Sequence, residues 1–233
     1  ARVVDALNYI ASVLSGETGS ADIHWNVSQT DGTGYLGSCG PYYWQSNGFA
    51  GGFAYDHITT GVDPSGGQPD ATGTMDFGHN WYDGTGSPGG SQYDLLSVLI
   101  HEFTHAIGFA SLIEYPSGDS AITSSNPGAY SYYDQFLQNG NGVAFCSAAG
   151  GASFVGSAND LIGQNNGVVF NGPVALAVWG VNVPIYAPST WADGSSISHF
   201  DTTMPNDTVM RHAITNGQTK RVYQDFEIAV LND

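Results

Sequence analysis

The segment LIHEFTHAIGF, residues 99–109, sets His101 and His105 one helical turn apart, with Glu102 between them and Gly108 beyond the second histidine. Residues four apart on a helix stack on one face, so both imidazoles can reach a single ion. Glu102 leaves the helix at another angle, which suits a carboxylate that meets the ion's water instead of the ion. Catalytic zinc keeps one position for water and lowers its pKa to about 7, and a neighbouring carboxylate can then take the proton. A bare HExxH also arises by chance, as a polar stripe on an ordinary helix, so its setting decides between the two readings. Here the setting favours the metal. Ser91 and Asp94 form a capping box after the Pro88-Gly89-Gly90 breaker, and the helix is predicted to start near Gln92. Leu95, Val98, Leu99 and Phe103 follow as core positions, and Gly108 can end the helix in a left-handed turn.

HEFTHAIGF resembles the HExxHxxG signature of the metzincin zinc peptidases, in which the glycine turns the chain so that a third histidine, three residues on, reaches the metal. In this chain that position is Ser111. Leishmanolysin-like members of the clan carry a long insertion before the third histidine, and SSISHFDTTMPNDTVM, residues 195–210, is similar to their later segment. The resemblance implies zinc held by His101, His105 and His199, Glu102 as general base, and Met210 as the methionine of the Met-turn, with Met204 the weaker candidate. His212 falls where some metzincins place a tyrosine that reaches the zinc or the oxyanion, and a solvated loop histidine is the equal alternative. Asp201 is a candidate acceptor for orienting a ligand. Glu227 is the runner-up ligand, as in a thermolysin-like site. The closing KRVYQDFEIAVLND resembles the helix that packs behind the Met-turn. The likeness covers residues 71–114 and 185–233.

These groups need elements to position them. Residues 2–15 place Val3, Ala6, Leu7, Ile10, Val13 and Leu14 at helical spacing. ADIHWNVSQ alternates Ile23, Trp25 and Val27 on one face of a strand, with His24 on the other. Residues 30–75, including PYYW and GFAGGFAYDHI, read as strands and loops, with His57 surface or structural. Residues 71–86 read as a strand that runs into a glycine-rich turn and forms the rim along which an extended substrate lies, with His79 an ordinary surface histidine or, as the alternative, a substrate-side group. Residues 115–185 form loops with a helix or two. The expected fold is α+β and metzincin-like: a twisted mixed sheet with the active-site helix above a loop-rich lower subdomain. Residues 1–110 form one subdomain and 111–233 the other, together one catalytic unit.

Composition narrows the function. Four Lys plus Arg stand against 21 Asp plus Glu, a formal charge of −17, which repels nucleic acid and anionic membrane. No apolar run approaches the roughly 20 residues of a membrane span. A chain that opens at Ala1 with few lysines, many glycines and many tyrosines reads as a processed, secreted monomer. In an oxidising compartment Cys39 and Cys146 are expected to form one disulfide, two buried free thiols being the alternative. Calcium in the acidic stretches 63–70 and 200–207 is an unplaced expectation, since neither follows the EF-hand pattern. The expected function is that of a secreted zinc endopeptidase acting on protein or peptide. Its rivals are a carbohydrate- or surface-binding module with a structural zinc, and a zinc hydrolase of other substrates.

Overall fold

The computed structural model describes the chain except residues 15 and 18, and for 28 and 29 only the backbone. Among the described residues the chain is a mixed α/β protein of small sheets and six α-helices, with no closed barrel. No helix among them is long and apolar enough to cross a membrane. Two compact units are present: the first comprises Ala1–Tyr42, Gly52–Gly108 and Ala213–Tyr223, the second Tyr43–Gly51, Phe109–His212 and Gln224–Asp233. Elements are numbered along the whole chain.

The first unit holds α1 (Arg2–Val13), β1 (Ile23–Gln29), β2 (Gly37–Pro41), α2 (Phe53–Thr60), β4 (Ala71–Asp76), β5 (Trp81–Tyr82), β6 (Tyr93–Asp94) and α3 (Leu95–Ala106). Its sheet runs β1-β4-β2, with β1 parallel and β2 antiparallel to β4. The mixed sheet expected from the sequence is thus present as three strands. Gly73 of β4 pairs with Trp25 on one side and Cys39 on the other, and a Cβ there would collide with the Trp25 ring. Trp25 in turn packs on Phe103 of α3, ring centroids 5.1 Å apart. Aromatic contact of this kind adds about 0.5–1.5 kcal/mol beyond the area it buries.

Three local expectations change in this unit. The predicted end of the first helix, Ser15, lies outside the described residues, and within α1 only Ala6 and Ile10 are buried while Val3 and Leu7 stay exposed. Val27 is exposed too, so the apolar face of β1 is shorter than its alternation implies. FAYDHI is no strand: Phe53–Thr60 is helical, capped by Gly61 in the left-handed region at φ 69°. The aromatic content of that stretch favours a strand, and tertiary packing overrides it.

The second unit holds β3 (Gly48–Ala50), β7 (Ala129–Ser131), β8 (Leu137–Asn139), β9 (Cys146–Ser147), β10 (Ser153–Phe154), α4 (Ala158–Leu161), β11 (Val168–Phe170), α5 (Pro173–Trp179), β12 (Val183–Ile185) and α6 (Asp225–Asn232). A three-stranded sheet of order β12-β11-β8 is its largest. Phe200 and Phe226 lie at its core with ring centroids 5.1 Å apart, and Asp233 at the end of α6 accepts hydrogen bonds from Val174 and Ala175 N–H groups at the start of α5.

Candidate metal centre

Helix α3 begins at Leu95 with Asp94 as its N-cap, not near Gln92. Asp94 is fully buried and caps the helix by accepting the Ser97 N–H at 3.0 Å, while Ser91 is exposed. The buried charge has a cation: Arg221 donates to the same carboxylate from Nε at 2.8 Å and from Nη2 at 2.5 Å. This paired contact holds the guanidinium pKa above its ordinary value. A bidentate, charge-assisted cap is a strong one, and it fixes where the helix starts and therefore which way its later turns face. Farther on, the Thr104 hydroxyl donates back to the Ile100 carbonyl and meets the Tyr223 hydroxyl at 2.5 Å. Gly108 follows the helix at φ 112°, a conformation that side chains rarely adopt.

On this helix His101 and His105 come together. Their Nε2 atoms are 3.2 Å apart and the rings meet edge-on at 84°. Two nitrogens bound to one zinc at 2.0–2.1 Å in tetrahedral geometry are separated by about 3.3 Å, so the pair already has the spacing of two ligands of one ion. Glu102 is buried one position along. Burial pushes its carboxyl group up to about 8. Its side chain lies against Gly37 of β2, a neighbour that spacing within the motif could not reveal.

In the second unit His199 is buried, and its Nδ1 faces the Ser195 carbonyl at 2.9 Å. Its backbone is held between two segments: the His199 carbonyl accepts from Tyr186 N–H at 2.8 Å, and Phe200 N–H donates to the Met210 carbonyl at 2.8 Å. Ile197, two residues earlier, has φ 56°. For a β-branched residue that is strained backbone. It persists because the side chain is buried and its N–H donates to Tyr186 O at 2.8 Å. No pattern in the sequence marks it.

Met210 is buried, as is Met204. The Met210 N–H donates to Glu227 Oε1 at 2.9 Å and the Val209 N–H to Oε2 at 3.2 Å. Glu227 also accepts the Gln224 N–H at 2.9 Å, closing the capping box of α6. The runner-up ligand is therefore an anchor for the Met210 segment, and the Gln224–Glu227 spacing was the signal that could have identified it. His212 stacks on Tyr186 with ring centroids 3.9 Å apart. Asp201 accepts the Thr203 N–H at 2.9 Å and so closes its own turn.

Other expected site groups fall elsewhere. The substrate rim is corrected: β4 is the central strand, bonded on one edge to β1 and on the other to β2, so its backbone has no open edge for a peptide. His79 packs edge-on against Trp81 and Tyr93. His57 is buried against Asp70, not on the surface. In the 63–70 loop the Asp63 carboxylate accepts the Ser65 hydroxyl and the N–H groups of Ser65, Gly66 and Gly67, which hold its pKa below the usual range.

The expected disulfide is also overturned: Cys39 and Cys146 are free thiols. Cys39 sits on β2 over Gly73, and burial together with the charge of Glu102 pushes it up to about 12. Cys146 lies on β9, where burial and then Asp134 push it higher still. Each thiol is packed within its own unit, and compartment alone could not decide the pairing. Comparison with protein-family models, with curated proteins and with solved structures finds no match to this chain.

Proposed function

We propose that the chain is a zinc-dependent endopeptidase that hydrolyses peptide bonds with Glu102 as general base. One observation carries the reading: His101 and His105 converge at ligand spacing on a helix whose next residue, Glu102, is a buried carboxyl group beside the edge strand β2. The donor chemistry fits zinc, because imidazole nitrogen is its ordinary ligand. We assign His199, whose segment resembles the one that carries the third metzincin ligand, as the third ligand of the ion.

A zinc ion held there would supply an acidified water and Lewis-acid polarisation of the scissile carbonyl. The chain's own groups do the rest. Glu102 accepts the water proton as the oxygen adds to the carbonyl carbon, then passes it to the amine nitrogen as the C–N bond breaks. Burial favours the neutral acid, whereas a neighbouring cation would favour the carboxylate, the form in which Glu102 can act as base. Because β4 is enclosed, the open edge of β2 is the strand that can pair with an extended substrate, next to Glu102. The negative field of the chain favours basic or neutral substrates. Secretion is proposed from the composition.

Glu102→Gln tests the reading. The variant is expected to keep its zinc, measured by metal analysis, and to lose casein cleavage by about 10²–10⁴-fold. Undiminished cleavage, or full cleavage after chelation, overturns it.

A further inference from the structure

A second group of donors lies in the first unit, away from α3. Asp22 immediately precedes β1 and Asp70 immediately precedes β4, and the first paired residues of those parallel strands are Ile23 and Ala71. The register therefore sets the two aspartates side by side, and α2 contributes His57. His57 Nδ1 is 2.8 Å from Asp70 Oδ2. The other ring nitrogen, Nε2, is 3.2 Å from the Ser20 hydroxyl. Donor atoms of Asp22, His57 and Asp70 all lie within 4.8 Å of one another.

Two further observations point to a cation. Asp70 is 0% exposed, and its Oδ1 is buried with no hydrogen-bond partner. A buried carboxylate oxygen in that state is costly unless something positive meets it. The chain has only four Lys and Arg residues, and each contacts groups elsewhere: Arg2 with Asp5, Arg211 with Asn206, Lys220 with the Ala213 carbonyl and Arg221 with Asp94. No side-chain cation from Lys or Arg is engaged with the Asp22–Asp70 pair.

We propose that Asp22, His57 and Asp70 bind a second divalent transition-metal ion of the zinc class. One imidazole and two carboxylates suit zinc, whereas calcium takes an all-oxygen shell. With the ion on Nδ1, the Nε2–H donates to Ser20, the kind of outer contact that orients a ligating histidine. Asp22 is exposed, so water completes the shell. The ion clamps the starts of β1 and β4 to α2, and its role is structural. This site is independent of the proposed peptidase centre.

The test is titration of metal-stripped protein with zinc against a chromophoric chelator, for wild type, Asp22→Asn, His57→Gln and His105→Ala. Expected is one zinc equivalent that His105→Ala leaves in place and that Asp22→Asn weakens at least tenfold. Asp22 is exposed and its variant keeps the fold, which circular dichroism verifies should His57→Gln unfold. Loss of every equivalent with His105→Ala, or unchanged binding in Asp22→Asn, overturns the site. One equivalent in wild type that survives His105→Ala sustains this site and removes the helix centre instead.

Discussion

The side chain of Glu102 fills the space that a side chain at Gly37 would need: a Cβ on Gly37 would stand 3.2 Å from Glu102 Cγ and 3.3 Å from Oε1. The expected general base and the edge strand are thus in direct contact. Gly37→Ala is expected to displace the carboxylate by a few tenths of an ångström, since Thr74 O at 3.1 Å blocks the alternative escape. Small misplacements of a catalytic group are expensive, about 10²-fold for 1 Å. The predicted result is a kcat lowered about tenfold with zinc content unchanged. A full kcat in Gly37→Ala would separate Glu102 from the chemistry.

Burial gives Glu102 a pH signature that metal-free protein should show. Its folded pKa, about 8, lies above the ordinary value of 4.5 because the group is buried. The folded chain therefore binds more protons than the unfolded one between those values, and stability is full below about 4.5 and falls as pH rises toward 8. The shift corresponds to a few kcal/mol at most. Urea unfolding of chelated protein at pH 5 and pH 8 is expected to show greater stability at pH 5, and Glu102→Gln should flatten the difference. Zinc-loaded protein behaves oppositely at the acid end, since protonated imidazole cannot hold the metal. Zinc is expected to leave near pH 5–6.

The motif-bearing helix was legible because its information is local. His101, Glu102, His105 and Gly108 announce their spacing, and Gly108 does take the positive φ the break requires. The cap was misplaced by a turn because Ser91 and Asp94 both have capping chemistry, and only Arg221, far along the chain, decides in favour of Asp94. Strand content at 71–76 was legible too, but its rank in the sheet was not. Centre or edge depends on partners at residues 23–29 and 37–41, which alternation within one strand does not encode. α2 was missed for the same reason.

Free thiols are a prediction in their own right. Cys39 is pushed up to about 12 and Cys146 is higher, so thiolate is scarce at pH 8 and neither reacts readily. Native protein is expected to release almost no chromophore from an aromatic disulfide reagent over minutes, and denatured, unreduced protein two equivalents. Absence of any thiol after denaturation without reductant would restore the disulfide.

Glu227 offers the sharpest test of how the Met210 segment is held. Its buried carboxylate accepts three backbone N–H groups, from Val209, Met210 and Gln224, and so ties the start of α6 to the residues around Met210. Glu227→Gln keeps the volume but turns one acceptor into a donor facing an N–H group. Leaving buried donors unmet costs about 1–3 kcal/mol, or about 4–8 °C in Tm for 2 kcal/mol in a chain of this size. Met210→Leu keeps both backbone bonds and the packed volume, and should cost less than about 1.5 kcal/mol. The two variants measured side by side by thermal unfolding separate the roles. A Glu227→Gln no less stable than Met210→Leu would mean that packing around the methionine, not the carboxylate beneath it, holds this segment.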